Sequence, residues 1–441
     1  MKQQLSFGKL ISLSLMLFAM FFGAGNMIFP PMLGQLSGVN FLHSVMGFVA
    51  TDAGLSILGV AAVVLAGDKL DDLVGLIGPR FSIFMGVLIY LLIGPLFALP
   101  RTGTVSFELA VMPFAPDSMP KVVLSLIFTA IFFIVTYVLS LNPTKLVDIV
   151  GRILTPILLL SIAVIFVSCL LNPVGEIGLP TGEYAEIPFF RGMIEGYLAL
   201  DGLAALAFAI VVINAVRGFG VSEPKAIVKY TLLAGVFAGV GLGVVYLALG
   251  YVGAQTSSMA LFENGSQLLA AVVYQLLGKS GNLILGLAVL MACLTTSIGL
   301  ATSFADYFHT LLPNQSYRKI LTVVCLFSFA ISNIGLTTMI TLTLPALVMI
   351  YPPAIALILL SFCNRWIKGK SEAYALALMF AFIIGIFDGL KAAGISLGPL
   401  APILARLPLF DVNLGWMLPS VVGCLIGMLP FVNFLSRKKI A

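Results

Sequence analysis

Apolar residues run along this chain in blocks separated by short polar or basic punctuation, at 8–33, 42–66, 79–100, 121–140, 147–171, 190–215, 227–252, 281–311, 319–334, 337–361, 373–391 and 414–435. A helix needs roughly 17–25 such residues to cross a bilayer, so the pattern predicts an all-α integral membrane protein with about twelve spanning helices. The boundaries near 100–120 and 255–285 are the softest. The longest polar connections, 172–190 and 253–280, are too short for a separate soluble domain, so residues 1–441 read as one polytopic membrane domain. Inside the second connection, residues 267–277 are apolar but too short to span. They suit a helix lying over an external vestibule, a candidate lid, or else a surface helix packed on the bundle.

Two blocks are interrupted at mid-depth. The first breaks at Gly23-Ala24-Gly25-Asn26 and again at Pro30-Pro31; the sixth carries Gly196, Asp201 and Gly202 about halfway through. In hydrocarbon an unpaired backbone amide or carbonyl costs several kcal/mol, so such breaks survive where the freed groups face protein, water or a polar ligand. Paired breaks in corresponding positions point to an inverted-repeat secondary transporter with its substrate between them. The repeats are expected at 8–171 (helices 1–5) and 190–361 (helices 6–10), with two further helices over 373–435. Five crossings per half place the second half upside down.

Composition agrees: 60% of residues are hydrophobic and 9% charged, against about 25% charged in soluble domains, and the mean hydropathy is +1.14. With a cytoplasmic N-terminus and twelve spans, six of the 23 basic residues fall outside, Arg101, Lys121, Arg191, Lys279, Lys391 and Arg406, leaving 17 inside. That bias predicts a multi-pass protein with both termini cytoplasmic. The net charge of +5 then reflects loops facing anionic lipid, and no basic block suggests nucleic acid. The five cysteines sit in apolar runs at no metal-like spacing and read as small buried hydrophobes.

The first break offers complementary poles. A half-helix beginning near Asn26 presents free amides and its positive end to a carboxylate, while the preceding half-helix ends in free carbonyls from about Ala19 to Phe22, able to accept from an ammonium or coordinate a cation. The bland alternative is a glycine-rich packing seam. In span eight, Thr295 and Thr296 with the Ala292 carbonyl offer hard neutral oxygens suited to sodium, although such hydroxyls commonly bond back along their own helix. Asp52 and Asp201 lie deep in spans two and six, where an ionised carboxylate costs roughly 2.5–3.5 kcal/mol. Asp201 is placed to orient the unwound segment; Asp52 is a candidate proton carrier or a cap for nearby amides. Asp388 and Lys391 read as an interfacial pair.

Other clusters carry no chemistry. Gly278-Lys279-Ser280 lacks the first glycine and the strand of a phosphate-binding loop. Asp68, Asp71 and Asp72 read as a solvated face, and His43 with His309 make neither a zinc site nor a base for a nucleophile. No enzyme is expected.

The stretches Phe22-Gly23-Ala24-Gly25-Asn26-Met27-Ile28-Phe29-Pro30-Pro31, Gly94-Pro95-Leu96-Phe97-Ala98-Leu99-Pro100-Arg101-Thr102 and Cys293-Leu294-Thr295-Thr296-Ser297-Ile298-Gly299-Leu300 resemble the bacterial branched-chain amino acid carrier family nearly end to end. The resemblance implies uptake of leucine, isoleucine and valine by cation symport at a bacterial plasma membrane, on a LeuT-type fold. More distantly, Gly25-Asn26 and Ala292-Cys293-Leu294-Thr295-Thr296 are similar to the segments with which sodium-coupled transporters of that fold hold substrate and sodium, which implies a sodium site from the Ala19, Phe22 and Ala292 carbonyls and the Thr295 and Thr296 hydroxyls, with a proton as the alternative coupling ion. Ala24, Gly25 and Asn26 would receive the substrate carboxylate. Tyr197, Ala199, Leu200, Asp201 and Gly202 would form the second break's share of the site, and Phe97 and Phe208 the apolar pocket. No cofactor and no obligate protein partner are implied. Sodium-coupled neurotransmitter carriers hold a basic residue between the Asn and the Phe-Pro, where Met27 and Ile28 stand here, so the external gate must differ.

Overall fold

The computed structural model describes residues 5–67, 73–75, 77–116, 118–141 and 155–432. Asp68, Asp71 and Asp72, and several basic residues of the orientation tally, lie outside them. Among the described residues eight helical stretches are long and apolar enough to cross a membrane, with shorter apolar helices at Phe7–Phe21, Thr155–Leu171 and Met417–Met428.

The first crossing is two helices, α1 (Phe7–Phe21) and α2 (Ala24–Ser37), parted at Phe22-Gly23. Prolines 30 and 31 sit inside α2 and, lacking N–H groups, leave carbonyls one turn earlier without their helical donors. The second crossing, α3 (Phe41–Thr51) and α4 (Ala53–Ala66), has a one-residue irregularity at Asp52. The third departs from the expected continuous run at 79–100. α5 (Pro79–Leu91) passes through a widened turn at Leu92–Leu96 and resumes as α6 (Ala98–Ala110). Gly94 there is non-helical, and Pro95 and Pro100 each remove a donor, so the segment turns without ending. Arg101 therefore lies inside a buried helix and not in an external loop.

Crossings four and five are α7 (Lys121–Ser140) and α8 (Thr155–Leu171). The sixth is again split, into α9 (Pro188–Ala199) and α10 (Asp201–Gly218). Then come α11 (Pro224–Ala254) and α12 (Gly265–Leu311), the latter bent at Gly278, whose φ of +65° suits glycine. That bend separates the expected short apolar helix at 267–277 from the eighth crossing. α13 (Tyr317–Ser332), α14 (Leu336–Phe362), α15 (Ser371–Ala392) and α16 (Met417–Met428) follow.

The broken helices are held by the unbroken ones: α2 packs on α11, α9 on α3, α10 on α4, and α6 on α12. Many outward side chains of α7, α8 and α11, such as Ile134, Leu160 and Val244, are apolar and exposed, as a lipid-facing surface requires. α15 packs against α14 and α16. Asp388 and Lys391 on it do not pair as expected. Lys391 lies over the Phe410 ring at 5.7 Å, and both Asp388 carboxyl oxygens are buried without a hydrogen-bond partner. One helical turn leaves the Lys391 ammonium within electrostatic reach of Asp388, but it stands over the aromatic ring and not in a hydrogen bond with the carboxyl.

Candidate substrate and ion site between the two helix breaks

Gly23 adopts an extended backbone (φ −117°, ψ −156°), and its amide donates to Asn26 Oδ1 at 2.9 Å. In an unbroken helix that amide would serve the Ala19 carbonyl, so the break frees Ala19 by giving its donor to a side chain. The other end of Asn26 faces the second break. Its Nδ2 lies 2.5 Å from Asp201 Oδ2, 2.5 Å from the Tyr246 hydroxyl and 3.3 Å from Asp52 Oδ2. Tyr246 donates in turn to Asp52 Oδ2. The Asn26 amide and the Tyr246 hydroxyl thus join both carboxyls in one buried network. Asp52 Oδ1 has no partner.

At the second break Leu200 takes a left-handed conformation (φ 77°, ψ 1°), which costs a non-glycine residue about 1–3 kcal/mol and persists when its surroundings over-determine it. Arg101 is the group that does so. It donates through Nη1 to the Leu198 carbonyl and through Nη2 to the Ala199 carbonyl at 2.7 Å, satisfying the last turn of α9. Its guanidinium lies 5.3 Å from the Phe29 ring centre on α2, and a Cβ at Gly25 would come 2.8 Å from Nη2. One cation from the third crossing therefore touches both broken helices.

Between the breaks lies a small cavity. Its walls include Ala24, Gly25 and Asn26 from the first break, Ala199, Leu200 and Asp201 from the second, and Phe208 and Thr296. Arg101 and Thr102 also line it. Of the other residues expected at the site, Tyr197 is buried with its ring stacked on Tyr351 at 4.4 Å, and Gly202 packs toward Leu55 and Tyr351. Phe97 ends the kink of the third crossing, one residue from Ala98, which does line the cavity.

The expected ion ligands divide. Thr295 Oγ1 donates to the Ala292 carbonyl at 2.8 Å, whereas Thr296 Oγ1 is buried without a partner and would lie 3.0 Å from a Cβ at Gly23. An orphan hydroxyl beside a helix end whose Ala19 carbonyl has lost its donor is a donor set that fits a small monovalent cation. Ala19, Phe22, Ala292 and Thr295 lie beside this spot in the chain without lining the cavity itself.

Arg101 and Tyr246 were not legible as site residues. Tyr246 is one aromatic in a long apolar run. Arg101 stands in the Gly94–Thr102 motif, and the signal available was a lone cation among prolines and small residues with no polar loop around it.

Apolar helices whose two broken members meet at a cavity have the architecture of a membrane transporter. A sequence model described as "Branched-chain amino acid transport protein" matches residues 7–433. The chain is 45% identical over 429 residues to the branched-chain amino acid permease BraB of Bacillus subtilis (strain 168), with 97% of this chain and 96% of that protein covered. It belongs to the branched-chain amino acid transport protein family. Among solved structures it superposes on Mhp1, a nucleobase-cation-symport-1 family transporter (TM-score 0.53, 15% identity, 95% of this chain and 91% of that one), and on MhsT in complex with L-phenylalanine (TM-score 0.52, 16% identity, 94% and 97%). These likenesses establish the LeuT-type fold with discontinuous first and sixth crossings.

Proposed function

We propose that this chain carries leucine, isoleucine and valine into a bacterial cell across the plasma membrane by alternating access, with sodium as the coupling ion and both termini on the cytoplasmic side. The observation that carries this reading is the cavity at which both breaks converge, walled by the amide end of α2 on one side and by Asp201 on another. A zwitterion with a small apolar side chain matches those poles and the Phe208 ring. Residues 8–171 and 190–361 would be the two repeats.

Sodium would be held by the Ala19, Phe22 and Ala292 carbonyls and the Thr295 and Thr296 hydroxyls, joining the end of α1 to α12. By fixing the break, it organises the amides that receive the substrate, so each ligand raises the other's affinity. The orphan Thr296 hydroxyl supports this placement.

A second reading, proton coupling, is supported by the buried pair Asp52 and Asp201, joined through Asn26 and Tyr246, with Asp52 Oδ1 left unpartnered. Radiolabelled leucine uptake into proteoliposomes, with sodium and proton gradients imposed separately, decides between them. Sodium-driven accumulation is expected. Accumulation that persists without sodium and collapses with the pH gradient would replace sodium by the proton, and no accumulation under either gradient would defeat the transport reading.

A further inference from the structure

Arg101 is 5% exposed and lies at the centre of an apolar bundle, where a guanidinium is costly unless paired. Among the described residues no carboxylate lies within 4 Å of it. Its two hydrogen bonds go to the Leu198 and Ala199 carbonyls, and Nε has no partner. The charge is thus solvated by two dipoles and an aromatic face, with Asp201 and Asp52 within electrostatic reach but not bonded to it.

The guanidinium lines the cavity beside the first turn of α2. There Gly23 has already given its amide to Asn26, while the amides of Ala24 and Gly25 have no acceptor within the helix. A helix N-terminus and an under-partnered guanidinium therefore converge on one wall, with Asp201 on another. We infer that Arg101 is a ligand for the substrate's carboxylate. The Nε–H and the second Nη2 hydrogen form one edge of the guanidinium, able to take both oxygens of a carboxylate, while the remaining bonds keep hold of α9. The substrate then supplies the direct ion-pair partner that Arg101 lacks, and its arrival is felt at both breaks through one side chain. This inference rests on the transport reading and refines it: the carboxylate is received by an arginine of the third crossing as well as by backbone amides.

The test compares leucine with leucinamide, which keeps the ammonium and the side chain but lacks the carboxylate. Both are titrated as competitors of radiolabelled leucine or valine binding to the purified protein in lipid nanodiscs. Wild type should prefer leucine strongly. Arg101→Gln should weaken leucine by about 10–100-fold, the range of a lost charged hydrogen bond, while leucinamide changes by less than about threefold, so that the preference narrows toward unity. Arg101→Lys should fall between, and it carries the test if Arg101→Gln does not fold, as judged by its thermal midpoint. An unchanged leucine affinity overturns the inference, as does a parallel loss of leucine and leucinamide, which marks a role in holding α9 only. Absence of discrimination in wild type overturns it too. A wild type that binds no branched-chain amino acid defeats the transport reading itself, so the two failures are told apart.

Discussion

The side-chain amide of Asn26 lies 2.5 Å from a carboxyl oxygen of Asp201, so the first turns of the two half-helices that flank the cavity are joined directly, across 175 positions of sequence. Because Asn26 also accepts from the Gly23 amide, the same side chain fixes one break and ties it to the other. Asn26→Leu, of similar size, removes donor and acceptor together. It leaves Asp201, Asp52 and the Gly23 amide short of partners at about 1–3 kcal/mol for each group orphaned. Leucine uptake should fall by at least about tenfold. Tyr246→Phe, which removes the phenol's bonds to Asp52 and Asn26 but leaves the Asn26 contacts to Asp201 and Asp52 and the Gly23 amide bond in place, should cost less. Initial uptake rates check the order, and a Tyr246→Phe defect as large as that of Asn26→Leu would contradict it.

The two threonines of α12 differ in what their hydroxyls already do. Thr295 is bonded to the Ala292 carbonyl and Thr296 is not bonded to anything. If sodium sits against the end of α1, Thr296→Ala should raise the sodium concentration needed for half-maximal leucine uptake by about tenfold, a factor that corresponds to about 1.4 kcal/mol. Thr295→Ala should raise it less, and Thr296→Ser should restore it. Should the double substitution leave sodium dependence unchanged, the ion lies elsewhere.

The breaks were legible in the sequence because glycine and proline in an apolar run have few other uses, and Asp201 and Asn26 were legible because polar side chains at that depth need partners. The bonds between them were not, since α2, the α3–α4 junction, α10 and α11 contribute one member each and no periodicity relates residues so far apart. Arg101 was misplaced for a related reason: a basic residue after two prolines resembles the end of a span, yet Gly94, Pro95 and Pro100 bend the third crossing without stopping it. Its partners are carbonyls, which a sequence displays at every position and so singles out at none. The same limit applied to Lys391, whose neighbour in sequence is Asp388 but whose neighbour in space is the Phe410 ring.

Phe208 closes the apolar side of the cavity, with its ring 6.1 Å from that of Phe21 and carbons 3.7 Å from a Cβ position at Gly299. One methylene in such a pocket is worth about 1–3 kcal/mol, so leucine, isoleucine and valine should compete in wild type. Phe208→Ala should weaken valine more than leucine and admit methionine or phenylalanine as inhibitors. Competition against radiolabelled leucine measures this. An unchanged inhibitor profile would remove Phe208 from the pocket.

The close approach of α11 to α2 supplies a prediction independent of any ligand. A Cβ at Gly253 would stand 1.8 Å from the carbonyl oxygen of Pro31, and backbone cannot yield as a flexible side chain does; at Gly235, on the same helix, nothing lies within 4 Å. Gly253→Ala must therefore push α11 off the proline turn of α2, the half-helix that carries the amides of the site. Overpacking of this kind costs about 1–3 kcal/mol. The thermal midpoint of the purified protein should drop for Gly253→Ala and hold for Gly235→Ala, and leucine affinity should fall only in the former. Equal behaviour of the two variants would mean that this helix pair is spaced more loosely than the Pro31 contact requires.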